Sequence, residues 1–483
     1  MNAPIYRLYA TLLLLLTVLV GYTSRWTVFD AEELRENTFN KRPLLESQGI
    51  PRGEIRSIDG EVIARSVPEG QGSQRIYKRE YPLGALFGHP VGYDFINTGL
   101  TGIEASENDA LIGKTGEFAT LLEELQGKSE EGDDLVLTLD ADAQRLATSQ
   151  LEAIGFGSVV AIEPATGAIR VMASNPGFDP NSAATTSGLE AFYQDDATSP
   201  LLQRAIQSAY PPGSTMKVVS AVAAIDSGQF TPDSIVDGTD GQLIDGVPLH
   251  NFAGESPGMI TLTTALTDSV NTAWANVGEA LGAETYFEYM DRFGFNQQPE
   301  LDYPANLMRA SGVRQEDGTL IDASDPVDIG RVAIGQERLT VTPLQMAEVA
   351  AAVANDGDLM KPQLVAEVVD PDGRVDPVEP QKQSDVMSPA TAEAVTVMMV
   401  SVTENGTAAG LTVGDSPFAG KTGTAELGGG RAGCDLPNQV WFIGFAPADD
   451  PQIAVAATVE CSAETGGAVA GPIATAVMSE LLG

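Results

Sequence analysis

Residues 210–217, Tyr-Pro-Pro-Gly-Ser-Thr-Met-Lys, place a serine and a lysine three positions apart just after a Pro-Pro-Gly turn. Apolar side chains then recur at helical spacing, at Val218, Val219, Val222 and Ile225. The pattern stops at Gly228, which predicts the end of a helix there. Ser214 is therefore expected at the start of a helix, with Lys217 one turn further on and on the same face. By itself, such a pair is more often a capping serine beside a surface lysine.

Two further motifs follow in order and change that interpretation. Residues 269–271 are Ser-Val-Asn and lie between two stretches predicted to be helical, and residues 421–424 are Lys-Thr-Gly-Thr on a predicted strand. The three motifs together are typical of an acyl-transfer site in which a lysine replaces the usual histidine base. The simpler alternatives are helix capping for the second motif and an ordinary edge strand with exposed threonines for the third.

The residue types suit this chemistry. A serine hydroxyl is a weak nucleophile until a base removes its proton, so Ser214 needs a base nearby. A lysine titrates near about 10.4 in water, but burial beside another cation lowers its pKa. Lys217 is the predicted base and Lys421 the predicted second cation. Ser269 would relay a proton to the leaving amine, and Asn271 would hold the substrate amide.

The third motif is predicted to bind substrate along a strand. Gly423 allows close backbone approach, so a peptide could add along the strand edge. The hydroxyls of Thr422 and Thr424, together with Lys421, suit a terminal carboxylate. The backbone N–H groups of Ser214 and Thr424 are the predicted oxyanion hole.

Composition excludes several other classes of function. The chain has 483 residues, of which 43% are hydrophobic, so two or three folded domains are expected. Its formal net charge of -40 argues against a nucleic-acid partner, because phosphate binding needs Lys and Arg. The only histidines are His89 and His250, which argues against a histidine metal site and a Ser-His-Asp triad.

The amino terminus predicts a membrane anchor. Leu8–Tyr22 is an uncharged apolar run, and from Ile5 onward it spans about 18 residues, near the lower limit for crossing a bilayer. Arg7 precedes the run and acidic residues follow it, which favours an amino terminus that stays inside. A cleaved signal peptide is the alternative, but no small-x-small cleavage site follows the run. We therefore predict a single anchor in residues 1–24, with the rest of the chain on the outer side of the cell membrane.

Two cysteines, Cys434 and Cys461, suit an oxidising compartment. Cys434 follows the third motif in a loop between two predicted strands, and Cys461 ends the next strand but one. In an antiparallel meander these points lie at the same end of the sheet, so a disulfide is geometrically plausible. Two unpaired thiols remain the alternative.

Pattern along the chain predicts two domains after the anchor. Residues 25–150 are polar with many turn signals, and residues 151–483 open with a predicted hairpin at 158–172 and are largely helical from about 200 to 410. The end of the chain returns to predicted strands and a closing helix, at 418–427, 439–445, 453–460 and 472–482. Strands from both ends with a helical middle imply an α+β fold in which helices cover one antiparallel sheet.

The motifs resemble those of the transpeptidase domain of penicillin-binding proteins. In that domain the resemblance extends to longer runs, at 210–217, 342–347, 420–426 and 441–447, with Met216 where Phe is commoner. In the amino-terminal half it extends to the pedestal of class B, monofunctional members, at 52–55, 79–84 and 99–104. The chain has no room for the glycosyltransferase domain of class A. It is most similar to the actinobacterial PbpA group, which lacks carboxy-terminal PASTA modules.

This resemblance implies a five-stranded antiparallel sheet flanked by helices, with an elongated amino-terminal pedestal. It implies a D,D-transpeptidase, in which Ser214 attacks the D-Ala-D-Ala bond of a peptidoglycan stem peptide, releases D-alanine and passes the acyl group to a second stem. β-Lactams would acylate the same serine. The resemblance also implies a SEDS-type membrane glycosyltransferase as partner, and no metal or organic cofactor.

Three alternatives share part of the pattern. A β-lactamase has the same motifs but is usually one domain without a pedestal. A D,D-carboxypeptidase uses similar chemistry with water as acceptor, and the sequence barely separates the two activities. A non-catalytic penicillin-binding scaffold or sensor is the third, although Ser214, Lys217, Ser269, Asn271 and Lys421 are all present.

Overall fold

The computed structural model describes residues 3–25, 48–71, 75–113, 131–426, 436 and 438–483. Helix α1 (Ala3–Ser24) is exposed along its apolar length. By length and composition it is able to cross a membrane. The predicted apolar helix is therefore confirmed.

The amino-terminal region is built on a six-stranded sheet with short helices around it. Its elements are β1 (Ile55–Arg56), β2 (Val62–Glu69), β3 (Ile76–Glu80), α2 (Gly88–Val91), β4 (Asp94–Phe95), β5 (Gly99–Leu100), α3 (Ile103–Ser106), α4 (Asn108–Leu111) and β6 (Asp134–Leu137). β1 pairs antiparallel with β2 across the Asp59-Gly60 turn.

Three of the pedestal-like motifs meet at one buried carboxylate. Glu104 is fully buried and accepts hydrogen bonds from Arg52 Nε and Arg79 Nε, each at 2.6 Å. Tyr81 donates its hydroxyl to the same carboxylate at 3.1 Å. Because a buried charge is tolerated only when it is paired and hydrogen-bonded, these distant segments must close together around Glu104. The two guanidinium groups hold the pKa of Glu104 below its usual range although burial opposes them.

The carboxy-terminal region is built on a second sheet. Its outer elements are α5 (Ala141–Ile154), β7 (Gly157–Ile162), β8 (Ile169–Asn175) and α6 (Thr186–Tyr193) near the start, and β19 (Ala419–Glu426), β20 (Asn438–Ala446), β21 (Ile453–Ser462) and α13 (Ala470–Leu482) at the end. The five strands are antiparallel neighbours in the order β19-β20-β21-β7-β8. The predicted hairpin, the late strands and the closing helix are confirmed. The third motif lies on β19, at an edge of the sheet.

The segment between these strands is less helical than predicted. Its helices are α7 (Lys217–Asp226), α8 (Leu262–Thr267), α9 (Asn271–Arg292), α10 (Ile329–Ala333), α11 (Pro343–Ala354) and α12 (Pro389–Asn405). Short strands lie between them: β9 (Ile235–Asp237), β10 (Gln242–Ile244), β11 (Val247–Leu249), β12 (Met259–Thr261), β13 (Gly312–Val313), β14 (Leu339–Thr340), β15 (Asp358–Met360), β16 (Val365–Val369), β17 (Val375–Pro377) and β18 (Lys382–Asp385). Strands of two to five residues show too few alternations for a period of two to appear in the sequence. The expectation of a largely helical middle was therefore wrong.

Two of these strands belong to the first sheet rather than the second. β16 pairs with β6, and the six-stranded sheet runs in the order β17-β16-β6-β1-β2-β3. Asp302 helps to hold β16 in place, since its carboxylate accepts the N–H groups of Leu364 and Val365 at 2.8 Å. The boundary near residue 150 stays a prediction, and a segment beyond it contributes to the amino-terminal sheet.

Candidate active site

Ser214 lies in a single turn of 3-10 helix, Gly213–Met216, which leads directly into α7. Gly213 has a φ of 53° and donates its N–H to Gly335 O at 3.0 Å. A Cβ on Gly335 would lie 2.0 Å from Gly213 O, so this close backbone approach requires glycine. Ser214 is half-buried, and its hydroxyl makes no hydrogen bond to any residue that the structure describes. The hydroxyl is thus held at a helix start and left free to react.

Lys217 connects the first motif to the second. Its side chain is fully buried, and Nζ donates to Ser269 O at 2.6 Å and to Asn271 Oδ1 at 2.7 Å. Burial and, secondarily, the positive charge of Lys421 hold the pKa of Lys217 well below its usual value. A neutral amine has two N–H donors and one lone pair. The two short contacts use both donors and leave the lone pair to accept a hydroxyl proton.

Ser269 joins the two lysines. Its Oγ lies 3.2 Å from Lys217 Nζ and 2.9 Å from Lys421 Nζ. Ser269 has a φ of 59°, in the left-handed region that is uncommon for a residue other than glycine. This conformation places its carbonyl oxygen and its hydroxyl together against Lys217, and backbone strain of this kind tends to occur at functional sites.

Lys421 is also fully buried and donates to Thr422 O at 3.0 Å. Burial lowers the pKa of Lys421 to about 7. The amine therefore exchanges protons in the neutral range, which suits a group that shares a hydroxyl with a base. The sequence prediction of a second cation near Lys217 agrees with this geometry.

Replacement of Lys421 tests that electrostatic coupling. Lys421→Met keeps the length of the side chain and removes its charge, so the pKa of Lys217 should rise. If Lys217 is the base, acylation needs its neutral form and is lost as the pH falls through that pKa. We expect the acidic limb of the acylation-rate profile to move up by roughly one pH unit.

The measurement is the rate of acylation by a fluorescent penicillin from pH 5 to 10. The pH of the acidic limb is compared between the proteins, and this pH does not depend on the lower absolute rate of the variant. Lys361→Met is a matched control, because Lys361 is a partly exposed lysine paired with Glu300 at 2.6 Å. A limb that stays in place or moves to lower pH in Lys421→Met would contradict the coupling.

The third motif packs its glycine against the nucleophile segment. A Cβ on Gly423 would lie 2.8 Å from Pro212 O and 2.9 Å from Thr215 Cγ2, so only glycine allows β19 to lie this close to Ser214. Because side chains alternate along a strand, Lys421 and Gly423 share this face. Trp441, which pairs with Gly423 in the sheet, donates Nε1–H to Pro211 O at 2.9 Å and holds the same segment.

The two threonines of the motif have partners that the sequence did not predict. Thr422 Oγ1 lies 2.6 Å from Thr407 Oγ1, and Thr424 Oγ1 accepts the N–H of Gly466 at 3.2 Å. Thr407 and Gly466 come from loops with no regular pattern, so no sequence signal indicated them. The Thr424 contact uses a lone pair and leaves its O–H available to donate.

Cys434 lies outside the described residues. Cys461 lies near the end of β21 with a φ of 58°. The disulfide between Cys434 and Cys461 stays a prediction.

Two models of known protein families match this chain. A model described as the penicillin binding protein transpeptidase domain matches residues 157–479, and one described as the penicillin binding protein A dimerisation domain matches residues 52–135.

The chain belongs to the penicillin-binding protein transpeptidase family.

Individual relatives of this penicillin-binding protein cover nearly its whole length. It is 33% identical to "Peptidoglycan D,D-transpeptidase PbpA" of Mycolicibacterium smegmatis, over 100% of this chain and 99% of the relative. It is 31% identical to the protein of the same name in Mycobacterium tuberculosis, with the same coverage.

Solved structures agree. The fold matches the ceftriaxone acyl-enzyme complex of penicillin-binding protein A from M. tuberculosis with a TM-score of 0.81 and 30% identity, over 91% of this chain and all of that one. The penicillin G acyl-enzyme complex of the same protein matches with a TM-score of 0.78 and 30% identity, over 90% of this chain and all of that one. The expected fold and the similarity to the PbpA group are confirmed.

Proposed function

We propose that this protein is a serine-type peptidoglycan D,D-transpeptidase that is acylated by β-lactams at Ser214. One observation carries the proposal: two buried lysines, Lys217 and Lys421, meet at the hydroxyl of Ser269 next to a serine held at a helix start. Relatives of matching length are named as peptidoglycan D,D-transpeptidases, and structural neighbours are β-lactam acyl-enzymes.

Acylation begins with proton transfer from Ser214 Oγ to neutral Lys217. The oxygen attacks the carbonyl carbon of the penultimate D-alanine of a donor stem peptide. Negative charge develops on the carbonyl oxygen, where the N–H groups of Ser214 and Thr424 are the proposed donors. The hydrogen bonds of Lys217 to Ser269 O and Asn271 Oδ1 occupy its two donors, so its lone pair is available to take the proton of Ser214.

Collapse of the tetrahedral intermediate breaks the peptide bond. The leaving nitrogen of the terminal D-alanine takes the proton of the Ser269 hydroxyl, and Lys217 returns to Ser269 the proton that it took from Ser214. Asn271 has one N–H left after its bond to His250 O, and this N–H is available to the substrate amide. D-Alanine leaves, and the remaining acyl group is an ester of Ser214.

The terminal carboxylate of the donor is recognised at the third motif. Lys421 supplies positive charge, and the free O–H of Thr424 together with that of the Thr422–Thr407 pair supplies donors. A β-lactam carries a carboxylate and a strained amide in a similar arrangement, so it would enter the same site. Water or a second stem then competes for the ester, and amine attack restores Ser214 and forms the cross-link.

The proposal also covers the membrane anchor of this protein and its partner protein. Helix α1 is the proposed single membrane span, with the amino terminus inside and both folded regions outside the cell membrane. A SEDS-type glycosyltransferase, which would supply new glycan strands, is the proposed partner at α1 and the amino-terminal region. These assignments rest on the apolar helix and on the family.

The test follows the fate of a donor peptide ending in D-Ala-D-Ala with full-length protein in detergent. Release of D-alanine together with a product joined to an added acceptor amine is the expected result. D-Alanine release with hydrolysis alone would indicate a carboxypeptidase, and fluorescent penicillin that is bound and then lost within minutes would indicate a β-lactamase. A folded protein that neither turns over the donor nor takes up the label at any time would be a scaffold.

A further inference from the structure

Helix α9, which begins with catalytic-site residue Asn271, lacks a cap of its own. Its N-cap residue is Val270, which makes no side-chain hydrogen bond. The first N–H groups of a helix have no partner within the helix, so a valine at this position leaves them unsatisfied. Asn251 supplies the missing acceptor from another part of the chain. Its Oδ1 accepts from Thr272 N at 3.0 Å and from Thr272 Oγ1 at 3.1 Å.

The other half of the Asn251 amide ties two turns together. Nδ2 donates to Gly238 O and to Glu255 O, both at 2.9 Å. The side chain is only 7% exposed, so all four of its hydrogen-bonding positions are used away from water. Asp240 adds a further tie, because its Oδ1 accepts the N–H of Asn251 at 2.7 Å.

This arrangement determines where the carbonyl of His250 points. His250 O accepts from Asn271 Nδ2 at 3.1 Å, while Asn271 Oδ1 accepts from Lys217 Nζ at 2.7 Å. If the Asn271 amide turned over, its NH2 would face the Lys217 donors and its oxygen would face the His250 carbonyl. Both contacts would become repulsive, so the His250 carbonyl selects the orientation in which Asn271 directs the lysine.

We infer that Asn251 is a positioning residue, which caps α9 from outside and, through the neighbouring His250 carbonyl, holds Asn271 against Lys217. The inference rests on the proposed function, because it assigns Asn271 and Lys217 to acylation. Asn251 itself touches neither the nucleophile nor the lysines. It acts on the rate of proton removal from Ser214 and not on the recognition of the substrate carboxylate.

The test compares Asn251→Ala with a control variant of a residue on helix α9 itself. Asn276 also ties α9 to this region, with Nδ2 donating to Asp237 O at 3.0 Å and to Gln242 Oε1 at 2.9 Å, and within the described part of the chain its side chain makes no hydrogen bond to a site residue. We expect the limiting rate of penicillin acylation to fall about 100-fold in Asn251→Ala, as for a misplaced catalytic group, with the half-saturating concentration little changed. Asn276→Ala should stay within about threefold of the wild type, although it too loses side-chain hydrogen bonds that hold α9, two against the four of Asn251.

A double-mutant cycle separates positioning from general loosening. If Asn251 acts through Asn271, adding Asn251→Ala to Asn271→Ala should cost less than about threefold more in the limiting rate. The inference would be overturned if the rate losses of Asn251→Ala and Asn271→Ala multiplied in the double variant. It would also be overturned if Asn251→Ala and Asn276→Ala lost the limiting rate equally. So would a rise in the half-saturating concentration that accounts for the whole effect.

A second variant covers the case in which Asn251→Ala does not fold. Asn251→Asp keeps the oxygen that caps Thr272 and replaces the donors to Gly238 and Glu255 with a carboxylate oxygen that faces their carbonyl groups, so we expect about a tenfold loss of the limiting rate. A folded Asp variant with the wild-type rate would overturn the inference. A wild-type protein that takes no label at all would instead overturn the proposed function, and this inference with it.

Discussion

Ser214→Ala should abolish covalent labelling by penicillin and reduce donor-peptide turnover by more than about 10⁴-fold. The methyl group has no lone pair with which to attack a carbonyl, so no acyl-enzyme can form. The fold should be unaffected, because the Ser214 hydroxyl makes no hydrogen bond to the described residues and the 3-10 turn is held by backbone contacts of Gly213. Gel fluorescence after labelling, with intact mass of the adduct, measures the result.

Ser227→Ala is the matched control for that experiment. Ser227 lies just after the other end of helix α7, and among the described residues its hydroxyl bonds only to Ala224 O, at 3.3 Å. It should label as the wild type does. A stable adduct on the Ser214→Ala protein would place the nucleophile elsewhere and would remove the basis of the proposed function.

Lys217→Met should reduce acylation by more than about 100-fold, the usual contribution of a positioned general base. Methionine fills the buried space and has no basic nitrogen. Lys217→Arg makes the test specific, because a guanidinium keeps the positive charge yet does not lose its proton in proteins. The Arg variant should therefore be as inactive as the Met variant. The measurement is the second-order rate constant of penicillin acylation at pH 8, with circular dichroism to verify folding.

An active Lys217→Arg variant would assign a different role to this residue. If Lys217→Arg retained more than about a tenth of the wild-type rate, charge and not proton removal would be the contribution of this residue. The role of base would then pass to another group, and Lys421, whose pKa is near 7, is the neighbouring candidate.

The helices and strands that could be predicted from the sequence are the long ones. The helix after Ser214 and the late strands β19 to β21 each run over eight residues or more, and each is confirmed. The short strands between α7 and α12 were missed, since pairing with distant partners and not local propensity makes them strands. The pairing of β16 with β6 has the same cause, because residues 365–369 gain their partners only when the two regions fold together.

The predicted site residues come together in the structure, but two features of the site have no signal in the sequence. The φ of 59° at Ser269 occurs in a residue type with no preference for it, so the flanking helices must impose it. The sequence does not indicate that Asn251 caps α9. It shows only that Val270, at the N-cap position of this helix, has no side chain that could cap it.

The sequence by itself determined the reactive groups and their local spacing. Ser214 and Lys217 share one face because three residues make nearly one turn of a helix, and that is a property of the backbone alone. The tertiary structure decided the rest. It brings Ser269 and Lys421 to Lys217 and removes both lysines from bulk water, and this burial lowers the pKa of each lysine below its usual value. Desolvation depends on everything packed around a group, so no motif of a few residues can specify it.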